Sequence, residues 1–146
     1  MASTFYPTTK YSSGYGKGIG TVQSVGAVWN RGTTALVIND VLAGPVVPKN
    51  ARILLVTLTT NDCEDSTGAL TLSVGDSGST ARFISASTVG RAGGVSTTMA
   101  VGGICYKYTA ATAINVLVAA AATAAGVSDP QYICLKVDYI IEEETA

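Results

Sequence analysis

The chain contains no histidine among its 146 residues. That removes the commonest general base, the commonest neutral metal ligand and the usual charge switch near neutral pH. Charge is scarce too. Asp, Glu, Lys and Arg make up 13% of the residues, about half of the ~25% usual in soluble domains. The nine basic residues are scattered and the net charge is −1, which argues against nucleic acid as a partner, because phosphate binding needs clustered Lys and Arg. Cysteine is limited to Cys63, Cys105 and Cys134. No pair has CxxC spacing, and an odd number is a poor disulfide framework. Cys105 and Cys134 fall in apolar runs, so reduced and at least partly buried thiols are expected, in keeping with assembly in a cytoplasm. Residues 1–10 lack the charged head and apolar stretch of a signal peptide, so no leader is expected. The uncharged stretch 108–128 has the length of a membrane span. It is mostly Ala and Thr, however, with few large apolar side chains, so a membrane is not expected as a partner.

What replaces charge is Thr, Ser, Ala and Gly, alongside 47% apolar residues. A neutral surface of this kind tolerates burial against another protein, since little desolvation has to be repaid. Residues 1–31 are rich in Gly, Ser, Thr and Tyr, with Gly14, Gly16, Gly18 and Gly20 alternating. This segment is expected to be an extended N-terminal arm without a core of its own, carrying Phe5, Tyr6, Tyr11, Tyr15 and Trp29. Aromatic side chains offer large contact area at low entropy cost, so these five are the candidate protein-interaction residues. The competing reading folds the arm back over its own domain.

From Thr33 onward the pattern changes to short runs of period two, which signal strands. Leu36 and Ile38 share a face. Leu54, Val56 and Leu58 share another, with Ile53 and Leu55 opposite, so that run is expected to be central or covered by a neighbouring subunit. Leu70, Leu72 and Val74 alternate with Thr71 and Ser73, and Ile104, Tyr106 and Tyr108 with Cys105 and Lys107. Ile114, Val116 and Val118 follow. The clearest run places Ile133, Leu135, Val137, Tyr139 and Ile141 on one face, with Lys136 and Asp138 on the other. Gly44-Pro45, residues 48–50, 61–68 and 75–79 supply turn chemistry between runs. An Ala-rich stretch, 119–125, is too short for a stable isolated helix and is expected to be a hairpin loop joining the last two strands; residues 85–89 fit a single helical turn. The fold class is all-β: a single β-sandwich or jelly-roll-like domain over residues 32–141. Residues 142–146, with Glu142, Glu143 and Glu144, are expected to be a solvated acidic tail.

Three segments invite a chemical reading. Gly75-Asp76-Ser77-Gly78 looks like the nucleophile motif of trypsin-like proteases, but position 79 is Ser where that motif has Gly, and there is no histidine to take the serine's proton. A Gly/Ser/Asp hairpin turn accounts for it. Asp62, Glu64 and Asp65 fall in one loop. They lack the alternating acids and terminal Glu of a calcium-binding loop, and a solvated hairpin loop explains them without metal. Gly14-Tyr15-Gly16-Lys17-Gly18 has neither the spacing nor the strand-to-helix setting of a phosphate cradle. No catalytic residue, metal or cofactor is assigned, and no enzyme is expected.

Further residues point in one direction. They are Val47-Pro48-Lys49-Asn50-Ala51-Arg52-Ile53-Leu54, then Gly68-Ala69-Leu70-Thr71-Leu72-Ser73-Val74-Gly75-Asp76, Arg82-Phe83-Ile84, Val89-Gly90-Arg91-Ala92-Gly93-Gly94 and Tyr106-Lys107-Tyr108-Thr109-Ala110. In this order, over about two thirds of the chain, the sequence resembles head decoration (capsid cement) proteins of tailed bacteriophages. The resemblance implies a β-sandwich or jelly-roll module, often trimeric, seated outside the capsid. The implied partners are the major capsid protein and the chain itself as a homotrimer, in a virion assembled in the cytoplasm of a bacterial host. A trimer bridging several capsid subunits binds through linked contacts, so each contact need only be modest. Removing residues 2–30 is expected to abolish capsid binding and leave a folded sandwich. Two alternatives use the same composition: another virion structural subunit (tail, fibre or adaptor) and a carbohydrate-binding β-sandwich.

Overall fold

A computed structural model of the chain describes residues 2–12, 21–64, 68–122 and 130–142, with only the backbone at 10–12. Strands dominate: β1 (Thr4–Phe5), β2 (Thr9–Ser12), β3 (Gln23–Gly32), β4 (Val41–Leu42), β5 (Val46–Val47), β6 (Ala51–Thr60), β7 (Thr71–Gly75), β8 (Ile84–Ser87), β9 (Gly94–Ser96), β10 (Thr112–Ala113), β11 (Asn115–Ala120) and β12 (Gln131–Ile141). Two five-stranded sheets run β1-β4-β11-β7-β8 and β2-β3-β12-β6-β9, with a small β10-β5 ribbon beside them. The chain is an all-β single domain.

Period-two burial makes the sandwich. On β12, Ile133, Leu135, Val137 and Tyr139 turn inward while Tyr132 and Lys136 face solvent. Val25, Ala27 and Trp29 of β3 and Val56 and Leu58 of β6 join them from either side. Leu42, Leu72, Val74, Ile84, Val116 and Val118 meet them from the other sheet, all in one apolar cluster. Each of the Val, Leu and Ile side chains contributes about 1.5–3 kcal/mol on leaving water. Burial of this kind, rather than any single bond, sets the two layers.

Several sequence expectations need correction. The arm does not extend to residue 31: residues 23–32 are a full strand, hydrogen-bonded along β12 from Gln23 opposite Tyr139 to Gly32 opposite Gln131. Small side chains at Gly26 and Ala27 hid its alternation. Leu36 and Ile38 do not share a strand face; they lie in a loop where Leu36 is buried and Ile38 exposed. In β6, Asp138 pairs with Leu55 and Tyr139 with Ile53, so Leu54 is the extra residue of a bulge. The bulge resets the alternation: Ile53, Val56 and Leu58 turn inward, and both Leu54 and Leu55 are exposed. Residues 84–87 are strand β8, and the helical turn, a 3-10 turn, comes later at Val89–Arg91. β11 and β12 belong to different sheets, so their connection crosses between layers and is no hairpin; residues 123–125 of the Ala-rich stretch lie outside the described residues. Cys105 is exposed rather than partly buried.

The turn after β7 is as expected from its residues. Gly75 sits so close to the carbonyl oxygens of Ser79 and Thr80 that a Cβ there would collide with backbone, whereas a Cβ on Gly102 would meet nothing. Gly75→Ala is therefore expected to lower stability by about 2 kcal/mol or more, with Gly102→Ala near neutral, as measured by urea unfolding of the two variants side by side.

Candidate interaction surface

The first strands form a strap across one side of the sandwich. β1 pairs in parallel with β4, and β2 pairs antiparallel with β3, so residues 2–12 bind one edge of each sheet. The strap is held mainly through backbone groups. The amides of Val41 and Ala43 donate to the Ser3 and Phe5 carbonyls at 2.8 and 2.7 Å, and the Thr8 amide and hydroxyl both donate to the Val28 carbonyl, at 2.7 and 2.8 Å. The Ser3 amide donates to Asp40 Oδ1 at 2.9 Å. Arg31 lies over the half-buried Phe5 ring, 3.6 Å from its centroid, a cation–π contact that pins the strap.

The five aromatic candidates therefore separate. Phe5 anchors the strap to its own domain. Tyr6 is 76% exposed and free to meet another molecule. Tyr11 is in β2, opposite Gly26, with its side chain outside what is described, and Tyr15 lies outside the described residues. Trp29 is only 1% exposed, in the core beside Ile133. As a contact residue Trp29 is corrected to a core residue: it is on the inward face of β3 and has no surface to offer. Trp29→Ala is expected to cost about 3–5 kcal/mol of stability and Tyr6→Ala less than about 0.5 kcal/mol, read by chemical denaturation.

At one end of the sandwich Asp76 gathers a dense network. Its carboxylate accepts from the Gly78 and Ser79 amides at 2.9 Å each, from Arg82 Nε at 2.6 Å and from the Tyr108 hydroxyl at 2.5 Å. Arg82 in turn covers the Tyr106 ring at 4.0 Å, and Tyr106 meets Tyr108 edge-on at 5.0 Å. Burial alone would raise the Asp76 carboxyl, but Arg82, the tyrosine hydroxyl and the two amides outweigh it and hold the group at about 2. A carboxylate so weakly basic takes no proton near neutrality. The protease-like tetrapeptide is thus an Asx-type turn, locked to Tyr108 across 32 positions of sequence.

The acidic loop is also structural. Glu64 is buried and accepts the Ala69 and Leu70 amides at 3.0 and 2.8 Å, while Asp62 takes the Glu64 amide at 3.2 Å. Gly68 lies against the Glu64 carboxylate with no room for a Cβ. The loop joins β6 to β7 across the two sheets, so it is neither a hairpin nor, at Glu64, solvated; Asp65 lies outside the described residues. Among the described residues no three acidic or cysteine side chains gather as a metal site. Glu142 is likewise no solvated tail: it pairs with Arg52 and, at 3.4 Å, with Lys107. The Arg52 guanidinium hydrogen-bonded to it holds its carboxyl below the usual range. Glu143 and Glu144 lie outside the described residues. The three thiols are free. Burial pushes Cys63 up to about 12, with Asp62 adding to the rise, which keeps it inert.

The run Ile104, Tyr106 and Tyr108, expected as one strand face, is no strand: Ile104 lies in a turn and is 57% exposed, Tyr108 is buried, and Lys107 makes only an isolated bridge to Arg52. Val101, at 88% exposure, had no sequence reading. The Gly102-Gly103 pair between Val101 and Ile104 was the available signal, since it marks a tight protruding turn.

Asp76 at about 2, against an ordinary 3.8, contributes about 2 kcal/mol to folding at neutral pH. A depressed carboxyl gives stability that is complete above its unfolded value and lost on acidification. Wild-type stability is expected to fall between about pH 4 and about pH 2, and Asp76→Asn to be weaker at neutral pH with a flatter fall in that window, as urea unfolding across pH would record.

No family model and no curated protein sequence matches the chain. Solved structures do match. A chain in the capsid of Ralstonia phage GP4 is 23% identical with a TM-score of 0.74, covering 90% of this chain and 92% of that one. A chain of the cyanophage Pam1 capsid asymmetric unit is 29% identical with a TM-score of 0.66, covering 88% and 90%. A chain in the acidic stable capsid structure of Helicobacter pylori bacteriophage KHP30 is 16% identical with a TM-score of 0.61, covering 92% and 95%. Over nearly its whole length, the chain shares its fold with chains of three phage capsids.

Proposed function

We propose that the chain is a structural protein of a phage virion that binds the outside of the capsid as a homotrimer and stabilises the shell by bridging subunits of the major capsid protein. The observation that carries the virion structural role is the likeness to the Pam1 capsid chain, at 29% identity over 88% of the chain. Three properties of the molecule support it. Among the described residues the charged side chains are mostly paired, which suits contact with protein. The strap of residues 2–12 presents the exposed Tyr6 at the side of the sandwich. Of the chain's conspicuous carboxylates, Asp76, Glu64 and Glu142 are each committed to internal hydrogen bonds or ion pairs, so they serve the fold rather than a reaction. Free thiols at positions 63, 105 and 134 fit assembly in a bacterial cytoplasm.

Density maps of the particle with and without the protein test this. Difference density on the outer surface, repeated over the whole lattice, is the expected result. Density confined to one vertex or to the tail would replace decoration with an adaptor or tail role. Removing residues 2–30 would delete β3 and unfold the sandwich, so the arm has to be tested by a shorter deletion. A chain lacking residues 2–12 is expected to keep its far-UV circular dichroism and to lose most of its binding to undecorated shells in a co-sedimentation assay; full binding would relieve the strap of any role in docking.

A further inference from the structure

Residues 99–108 join neither sheet. They hold the 3-10 turn Val101–Gly103 and one isolated bridge, from Lys107 to Arg52. Few backbone bonds tie them to the sandwich. The Ala100 amide donates to the Phe83 carbonyl at 2.7 Å and the Tyr108 amide to the Ala51 carbonyl at 2.9 Å. The Asn50 and Ile53 amides donate to the Tyr108 and Tyr106 carbonyls, each at 2.9 Å. Apolar burial adds little. Val101 and Ile104 are exposed, Met99 and Tyr106 are half-buried, and Tyr108 alone among the segment's large side chains is buried. Cys105 holds φ +55°, a left-handed conformation that costs a non-glycine residue free energy. A segment tied so lightly opens at a lower free energy than the sheets beside it.

Two carboxylates outside the segment supply the rest of the hold. Asp76 accepts the Tyr108 hydroxyl at 2.5 Å and Arg82 Nε at 2.6 Å, and Arg82 covers the Tyr106 ring at 4.0 Å. Glu142 pairs with Lys107 at 3.4 Å and with Arg52, whose Nη1 donates to the Cys105 carbonyl at 2.6 Å. Residues 105, 106, 107 and 108 are thus tied to Glu142, Asp76, Glu142 and Asp76 in turn, either directly or through one arginine. The titratable and charged groups facing Asp76 are Arg82, Tyr106 and Tyr108; those facing Glu142 are Arg52 and Lys107, with Cys105 beside Arg52. Of these types only carboxylates change charge between about pH 6 and about pH 2.

We propose that Asp76 and Glu142 form an acid-released clasp: ionised, they hold residues 99–108 on the sandwich, and once protonated they let that segment open as a unit while the two sheets stay paired. A protonated carboxyl gives up part of its acceptor capacity, so Asp76 can no longer serve two amides, a guanidinium and a phenol together. Burial opposes the ionisation of Asp76, but Arg82, Tyr108 and the two amides hold it at about 2, and Arg52 holds Glu142 below its usual range. A depressed carboxyl stabilises the closed form fully above its free value and loses that hold as pH falls through its bound value. For Asp76, 3.8 when free against about 2 when bound makes opening about thirtyfold easier at about pH 2 than near neutrality, and Glu142 acts in the same direction. Opening uncovers Tyr108 and the side of Phe83 on which Gly103 packs. The device belongs to the single chain and does not depend on the virion reading.

Amide exchange of the full chain, measured by NMR and scaled by the intrinsic rate at each pH, tests the clasp. On going from about pH 6 to about pH 2, the amides of Gly103, Tyr106 and Tyr108 are expected to lose about thirtyfold of their protection or more. At every pH they should stay at least about tenfold less protected than the amides of β12, which open only with the whole fold. Asp76→Asn is expected to show most of that loss already at about pH 6 and to change little on acidification. Should Asp76→Asn fail to fold by circular dichroism, Glu142→Gln carries the test, with lower protection of the segment at about pH 6 and a smaller fall in acid. Equal protection in the segment and in β12 would mean that the segment opens only with the whole fold, and would overturn the proposal. Protection of the segment that does not change with pH, or a Glu142→Gln chain that exchanges like wild type, would overturn it as well.

Discussion

Strand β12 fixes the molecule. It is paired along nearly its whole length on both sides, with β3 and with β6. Its inward residues at 133, 135, 137 and 139 form the middle of the core. A slip of one residue would turn all of them to solvent, so the register has to be held at the ends. At the start, the Asn61 side chain donates to the Pro130 carbonyl at 2.9 Å and accepts the Tyr132 amide at 2.7 Å. At the finish, the Glu142 amide reaches the Asn50 carbonyl at 3.0 Å and its carboxylate pairs with Arg52. Arg52 also holds Cys105, and its neighbours Ala51 and Ile53 hydrogen-bond to Tyr108 and Tyr106. The Asp76 network and the 99–105 loop are therefore positioned by the same register that builds the core.

How much of this was legible depends on where the partners of each residue lie. The alternation of β12 and β11 is written in large side chains, and the structure reproduces it; in β7 Leu72 and Val74 are buried as expected, but so is Ser73 between them. β3 was illegible because Gly26 and Ala27 dilute its pattern, and only pairing with β12, about 100 positions away, reveals a strand. The bulge at Leu54 left no trace in residue type, since Leu-Leu fits either face until the partner's register is known. Glu64 and Glu142 look solvated because each lies among turn or tail residues. Their partners are backbone amides across the loop and an arginine 90 positions earlier, and neither follows from local composition. Trp29 and Tyr6 were indistinguishable as aromatics; burial alone tells them apart.

Among the described residues, the few charges are largely paired with one another or with backbone groups. Asp76 with Arg82, Glu142 with Arg52 and Lys107, and Lys136 with Asp138 are ion pairs, and Asp40 receives the Ser3 and Val37 amides. Among the described residues, charge of one sign is thus largely matched by a partner close by. Association through such a surface gains little from steering by charge and depends weakly on salt. Its strength has to come from apolar contact and shape.

The sheet edges narrow the choice further. Strands with unpaired edges invite uncontrolled pairing between chains. Here the outermost strands are short: β1 spans two residues, β9 three, and β2 and β8 four each. Two of them, β1 and β2, come from the strap and cover the longer strand β3 and the interior strand β4. Edge-to-edge pairing therefore offers few hydrogen bonds, and a neutral surface offers few ion pairs. Specific association then has to draw on exposed apolar side chains, which the fold leaves both in loops, at Val37, Ile38, Val101 and Ile104, and on strands, at Leu54, Leu55 and Val95.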